Sequence, residues 1–386
     1  MLSLPSKFEV FGAVRIYDVA RVLSLAGKPK AGPPNIVYVD RSELEDVASR
    51  TAIVVPVKDE DMLTLENVLR SIPTESPVII ISASSKEPVD RVEAEAELAR
   101  LISRTLVRDV ALIYQHDRAW GEALSGTSLE PLLEGGTIRR GKGEGMLLGL
   151  VVAAALGADF VGYIDSDNYV PGSALEYSWI YYSSFARART SYTMVRIQWP
   201  FKGKLAASDL YLRKRGRVSS ITNSILNYNL SVLKKIETDI IKTANSGEHA
   251  LTVKMGLSMK WAGGFAVESY QLVWALENCF IGLEEGRCPA TPEHVEIRQV
   301  SPLNPHIHAE RGDEHIAEMT SISLGTIYHS RLATPEVRQR IESRLKELGF
   351  EGDPPQPRVY DPSGVDPKKI LAGFLAESSD SYYFSP

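Results

Sequence analysis

A doubly wound α/β architecture, with a mostly parallel sheet between helices, is what this 386-residue sequence predicts. Three observations predict it. Short β-branched runs alternate with helical stretches through the first half of the chain. Each run ends in a polar cluster, as strands do when they feed loops at one sheet edge. The chain is also 44% hydrophobic, which supports a large core and excludes disorder.

TAIVVPV (51–57) is the first strand and stops at the polar cluster KDED (58–61). Leu63, Leu65, Val68 and Leu69 follow at helical spacing. PVIIIS (77–82) is a second strand, 89–106 an amphipathic helix rich in Ala, Glu, Leu and Arg, and VALIYQ (110–115) a third strand. The Ala-rich stretch 143–156 predicts a buried helix leading into the strand FVGYI (160–164). Because such sheets bind ligands at the carboxyl ends of their strands, attention falls on 58–61, 82–86, 116–118 and 165–168. The second half is less regular. YTMVRIQW (192–199) predicts a strand, 203–223 a hairpin or loop, and 316–329 and 335–348 two helices. The proline-rich stretch 352–367 predicts an extended surface segment before a short terminal helix. The expected plan is an N-terminal segment (1–50) packing on the core, a nucleotide-type α/β half (51–190), a substrate half (191–310) and a C-terminal helical region (311–386).

Charge and composition exclude several function classes. The 43 Lys+Arg and 49 Asp+Glu are interspersed, for a net charge of -6, so nothing favours nucleic acid as a partner. The N-terminus carries no apolar core with a cleavage site. The longest apolar run, 146–158, falls short of the roughly 20 residues that span a bilayer. Cys279 and Cys288 make no disulfide framework and no C-x-x-C, which points to a reducing compartment. A soluble, cytoplasmic protein without membrane contact is the expectation.

The chemistry concentrates in a few motifs. In VGYIDSDNY, Asp165 and Asp167 lie just past an apolar strand, and in extended chain residues two apart point the same way. Both carboxylates can therefore face one hard cation such as Mg²⁺ or Mn²⁺. A solvated turn after the strand is the plain alternative. The D-x-D that opens haloacid-dehalogenase phosphatases follows the first strand, whereas this one follows at least three. In GGTIRRGKGEG, Gly136, Gly141 and Lys142 have P-loop spacing, but residue 143 is Gly where Mg²⁺ needs Ser or Thr, which excludes a P-loop NTPase. A Gly-rich turn with Lys142 opening a helix still suits a phosphate, or serves only a tight turn. RKRGRVSS (213–220) concentrates four cations, a glycine and two hydroxyls, an anion cradle or a solvated basic loop. His306 and His308 form an H-x-H pair that completes a metal site if the fold brings it to Asp167.

Together these residues resemble a nucleotide-sugar glycosyltransferase of the glycosyltransferase-A fold, a Rossmann-like, mostly parallel sheet flanked by helices, here with a C-terminal helical extension. The resemblance is closer still to the mannosyl-3-phosphoglycerate synthases. It runs from FGAVRIYDVARVL through VVPVKDED, GKGEGMLLGL, YIDSDNYVPG, RGRVS, SGEHALT and NPHIH. It implies a metal-dependent retaining hexosyltransferase that moves mannose from GDP-mannose to 3-phosphoglycerate in mannosylglycerate biosynthesis, with a divalent cation (Mg²⁺, Mn²⁺ or Co²⁺). The product is then a precursor of a compatible solute. On these positions it implies a donor site of Pro56, Val57, Lys58, Glu60, Ser82, Lys142, Ser166, Asp167 and Glu248. Asp165, Asp167 and Glu248 become the catalytic set, with Glu248 on hexose hydroxyls. Gly216, Arg217, Val218 and Ser219 hold the acceptor, with His306 beside them, and Asp167 and His308 hold the metal. Related glucosyl enzymes tend to have Thr where Ser219 stands. A homodimer is also implied. The competing readings are a glucosyl-3-phosphoglycerate synthase-type transferase, a sugar-phosphate nucleotidyltransferase and a non-catalytic nucleotide-sugar binder. VVPVKDED lacks the Gly-rich loop of the nucleotidyltransferases.

Overall fold

The computed structural model describes residues 1–5, 7–25, 36–199, 201–206, 209–214, 217–308 and 312–386, with the backbone alone from 201 to 217 and at 313. Its centre is a 13-stranded sheet among those residues. From one edge the order is Tyr382–Phe384, Val110–Tyr114, Val78–Ser82, Thr51–Val57, Phe160–Tyr163, His249–Thr252, Tyr192–Ile197 and Val295–Ser301, then short N-terminal strands. Within it Thr51–Val57, Val78–Ser82, Val110–Tyr114 and Phe160–Tyr163 pair with one another in parallel, as the alternating pattern predicts. Their all-apolar runs reflect burial on both faces.

Helices cover the two faces and make two apolar layers. On one side lies Lys142–Ala155, whose Leu147, Leu148, Leu150 and Val151 are fully buried. It approaches the sheet so closely that a Cβ on Gly149 would stand 2.5 Å from Val54 Cγ1. On the other side lie Met62–Ser71, Arg91–Leu106 and Pro171–Phe185, with Tyr177, Tyr181 and Tyr182 against the strands. Burying each large apolar side chain stabilises the fold by about 1.5–3 kcal/mol, so these layers dominate its cohesion.

Several elements differ from expectation. The stretch 203–223 does contain a hairpin, Phe201–Ala206 with Asp209–Lys214, but at Arg217 the chain enters an 18-residue helix, Arg217–Lys234. Val218, Ile225, Leu226 and Leu230 form its buried stripe, diluted in the sequence by Ser and Asn. The four-residue strand His249–Thr252 runs antiparallel to both neighbours in the middle of the sheet. Both flanks of the sheet are finished by chain ends. Tyr382–Phe384 pairs with Val110–Tyr114, and N-terminal strands pair with Val295–Ser301. Strands this short carry no readable period.

The cysteine expectation is corrected. Cys279 and Cys288 form a disulfide. Helical turns at Glu277–Ile281 followed by the left-handed Gly286 (φ 71°) fold the chain back, so the two Cα atoms come within 4.5 Å. The argument for a reducing compartment from unpaired cysteines therefore falls. The carbonyl of Cys279 accepts from Ala13 N–H (2.7 Å), so the bridge also braces the N-terminal hairpin. Reducing it should lower the thermal midpoint by roughly 3 °C, from about 2.7 kcal/mol of loop entropy. Calorimetry with and without reductant reads this, and coincident midpoints would show that the bridge adds no stability.

Candidate active site

Five chain segments meet at the carboxyl edge of the parallel strands, and His306 and Glu268 join them from two more. The first two are adjacent strand ends: Pro56 pairs with Ile81 and Val57 with Ser82. Pro56, Val57, Lys58, Glu60 and Ser82, the expected donor residues, thus fall side by side. Asp59 takes a left-handed φ of 55°, which Asp tolerates better than most residues. The turn is fastened from both directions: Asp59 N–H donates to Ser84 Oγ (2.8 Å), and Asp59 Oδ1 accepts from Ser85 N–H (2.8 Å). That backbone bond holds the Asp59 carboxyl below its usual range. Behind Ser82 the buried Glu95 accepts from the Ser84 hydroxyl at 2.6 Å. Burial pushes the Glu95 pKa up, while the Ser82 and Ser84 hydroxyls oppose the shift.

The third segment follows strand Phe160–Tyr163 and carries Asp165, Ser166 and Asp167. The fourth is the start of helix Lys142–Ala155. Two residues fasten that start. Gln115 Nε2 donates to the Arg139 carbonyl (2.8 Å), and Glu144 accepts from Gly264 N–H and from the Tyr360 hydroxyl, both at 2.8 Å. Lys142 Nζ consequently sits 2.7 Å from Asp165 Oδ1 and 3.2 Å from Glu268 Oε1. Burial alone would lower the Lys142 pKa, but Asp165 and Glu268 outweigh it and raise the pKa overall. Gly247 makes room for this trio, since a Cβ there would lie 2.9 Å from Lys142 Nζ and 3.0 Å from Asp165 Oδ2.

The reversed strand supplies the fifth segment. Because His249–Thr252 runs against its neighbours, its first end lies at their carboxyl edge, with His249 opposite both Tyr163 and Arg196. Glu248 is thereby delivered into the site, fully buried. Its Oε1 lies 3.0 Å from His306 Nδ1, and His306 Nε2 lies 3.9 Å from Asp167 Oδ1. Burial raises the Glu248 pKa and the His306 ring counters it. Apart from that ring, no donor among the described residues meets the Glu248 carboxylate, which suits a ligand bringing hydroxyl groups.

One ligand atom each from Asp165, Asp167 and His306 lies within 4.8 Å of the others. Two carboxylates and an imidazole are a fitting donor set for a divalent cation. His308, expected as the late ligand, is outside this trio, its ring 5.0 Å from that of His306. His306, expected on the acceptor side, meets Glu248 and Asp167. Of the expected acceptor loop, Gly216 lies outside the described residues, and Arg217, described in backbone only, opens its helix. Val218 and Ser219 follow in the first turn, buried and half-buried.

Sequence reasoning missed Glu268 and Arg196. Arg196 is fully buried and donates to the carbonyls of Thr243 (2.9 Å), Ala244 (3.3 Å) and Glu268, which fixes the helix Val267–Leu276 carrying Glu268. Burial pushes the Arg196 pKa down to about 10, so it stays charged at neutral pH. A lone acid in the apolar run VESYQLVWAL was the available clue to Glu268.

The profile of the mannosyl-3-phosphoglycerate synthases matches residues 4–374, nearly the whole chain and every segment of this site. The chain belongs to that family. It is therefore a glycosyltransferase. It is 72% identical over 386 residues to the mannosyl-3-phosphoglycerate synthase of Aeropyrum pernix, covering 100% of both chains. To the mannosyl-3-phosphoglycerate synthase of Pyrococcus furiosus it is 37% identical over 369 residues, 94% of this chain and 93% of the relative. Among solved structures, it resembles glucosyl-3-phosphoglycerate synthase from Mycobacterium tuberculosis in complex with Mn²⁺, UDP-glucose and phosphoglyceric acid. That match has a TM-score of 0.50 at 18% identity, over 87% of this chain and 96% of that one. At this identity the likeness is one of fold, which is glycosyltransferase-A. The far higher identity to mannosyl synthases favours the synthase reading over a glucosyl transferase. Among the described residues, no helix is long and apolar enough to cross a membrane.

Proposed function

We propose that this chain transfers mannose from GDP-mannose to the 2-hydroxyl of 3-phosphoglycerate with retention of the α configuration, using a divalent cation. The observation that carries the reading is the Asp165–Asp167–His306 trio beside buried Glu248, in a chain so close to a curated synthase. The mycobacterial neighbour is described with Mn²⁺, a nucleotide sugar and phosphoglyceric acid, which agrees with this choice of ligands.

Asp165, Asp167 and His306 would hold the cation. A cation held there would supply positive charge against the diphosphate as the anomeric C–O bond breaks. Lys142 adds positive potential at the same edge, and Pro56 to Glu60 with Ser82 and Ser166 border the nucleotide. Glu248 accepts hydrogen bonds from hexose hydroxyls and orients the sugar. Gly216, Arg217, Val218 and Ser219 hold the phosphoglycerate, so that its hydroxyl meets the anomeric carbon on the face the diphosphate leaves. The departing phosphate oxygen takes the acceptor proton, and no protein side chain need act as base. Both substrates are phosphate esters that do not cross a bilayer unaided, which favours the cytoplasm. A homodimer is the assembly we propose, and a monomeric mass by light scattering would remove it.

The direct test is GDP release from GDP-mannose with and without 3-phosphoglycerate, with Mg²⁺ or EDTA. Release that needs both acceptor and metal supports the reading. Donor binding without release under any condition overturns it in favour of a binding protein. Arg217→Ala should raise the acceptor KM about tenfold or more while the donor KM holds, as loss of a charged phosphate contact implies. An unchanged acceptor KM would take Arg217 out of the acceptor site.

A further inference from the structure

We propose that Asn168 and Glu176 are positioning residues that set the affinity of this site for its cation, by clasping the segment that carries His306 to the turn that carries Asp167. The inference rests on the metal reading above and assigns a task to two groups that the reading leaves idle.

Asp167 and His306 come from distant parts of the chain, and nothing in the strand order alone fixes one against the other. Asn168 and Glu176 do so from two sides. Asn168, 1% exposed, follows Asp167 directly. Its Oδ1 accepts from its own turn, Val170 N–H (3.0 Å), and from Ile307 N–H (3.3 Å), the residue next to His306. Tyr169 N–H donates back to the Ile307 carbonyl at 2.8 Å. Glu176, 0% exposed, projects from helix Pro171–Phe185. Its carboxylate accepts from Leu303 N–H (2.6 Å), Asn304 N–H (2.7 Å) and the Asn304 side-chain amide (2.7 Å). Ser173 Oγ adds a bond to the Pro305 carbonyl at 2.7 Å. Both residues flanking His306 are therefore tied to the stretch 168–176, the Asn168 tie lying one residue from Asp167 and from His306, and the Glu176 ties two and three residues before His306.

A buried carboxylate receiving several donors makes strong, directional bonds. This geometry lets Glu176 hold the backbone of 303–304 in one place, and so the His306 ring. Groups that orient ligands without touching metal change its affinity by about 10–100-fold when removed. A clasp that only stabilised the fold would change unfolding and leave the affinity of the folded protein alone, which separates the two roles.

The experiment titrates Mn²⁺ alone into the purified full-length chain, following free Mn²⁺ by electron paramagnetic resonance. It compares wild type with Asn168→Ala, Asn168→Ser and Glu176→Gln, each checked for folding by circular dichroism. We expect Mn²⁺ affinity to fall about 10–100-fold in Asn168→Ala and about tenfold in Glu176→Gln, with metal-free GDP affinity unchanged. Asn168→Ser, which keeps a shorter acceptor, should lie between wild type and Asn168→Ala, and it carries the test if the alanine variant fails to fold. Folded Glu176→Gln and Asn168→Ser that bind Mn²⁺ as wild type does overturn the positioning role. Wild type that binds no Mn²⁺ overturns the metal reading itself, and this inference with it.

Discussion

Asp167→Ala should leave a folded chain whose turnover is lower by about three orders of magnitude, equivalent to about 4 kcal/mol of lost transition-state stabilisation. Asp167 lies beyond the end of its strand with 17% of its side chain exposed, so its removal opens no core cavity. The contact of His306 with Glu248 at 3.0 Å survives the change, as does the ion pair of Lys142 with Asp165 at 2.7 Å. What disappears is one of the three groups around the candidate cation position. Single-turnover rates at saturating donor and acceptor, repeated over a range of Mn²⁺, distinguish weakened binding from lost chemistry. Turnover near that of wild type would remove Asp167 from the metal site.

Lys142→Ala is the second large effect, and it acts on stability and catalysis together. The Lys142 side chain is 18% exposed, Asp165 24% and Glu268 6%, so the two carboxylates would face each other with little solvent to screen them. Removing one partner from such a cluster costs about 3 kcal/mol or more. The raised Lys142 pKa sets the pH window. A lysine with a folded pKa above its unfolded value stabilises fully below about 10.4 and loses that contribution only as pH rises through the folded value. The stability gap between wild type and variant should therefore stay constant from pH 6 to pH 9. Turnover should fall by about a hundredfold, because a fixed positive charge at the proposed diphosphate edge is gone. Urea denaturation across that range, with steady-state rates beside it, measures both. A gap that closed within this pH range would mean that Lys142 does not act as the fixed charge described. Arginine is not an equivalent replacement, since its broad fork does not fit a space that a Cβ on Gly247 would already fill.

Much of the donor half was legible because its elements are long and periodic. TAIVVPV, PVIIIS and VALIYQ are buried on both faces, and their polar ends marked the ligand edge where Lys58, Ser82 and Asp165 stand. The second half was harder for physical reasons. HALT is four residues long, and its reversed direction, which brings Glu248 into the site, depends on strands read tens of residues earlier. The helix Arg217–Lys234 hides its apolar stripe among serines and asparagines. The metal group shows the same limit. D-x-D and H-x-H could be paired by chemistry, but which histidine faces Asp167 depends on how the chain on either side of His306, bonded to Glu176 and Asn168, is seated. The disulfide was missed because two cysteines nine apart make no framework by spacing, and a local turn brought them together.

The finishing of both sheet flanks by the chain's own ends has a consequence for biosynthesis. Tyr17 near the start meets Glu296, 279 positions later, and Tyr114 meets Ser381, 267 positions later. At about 5–20 residues per second, a ribosome makes the early strands on the order of tens of seconds before their neighbours emerge. Val110–Tyr114 waits about as long for Tyr382–Phe384. A nascent chain therefore presents unpaired strand edges until their distant partners emerge, and loss of Tyr382–Phe384 would leave one of them open for good.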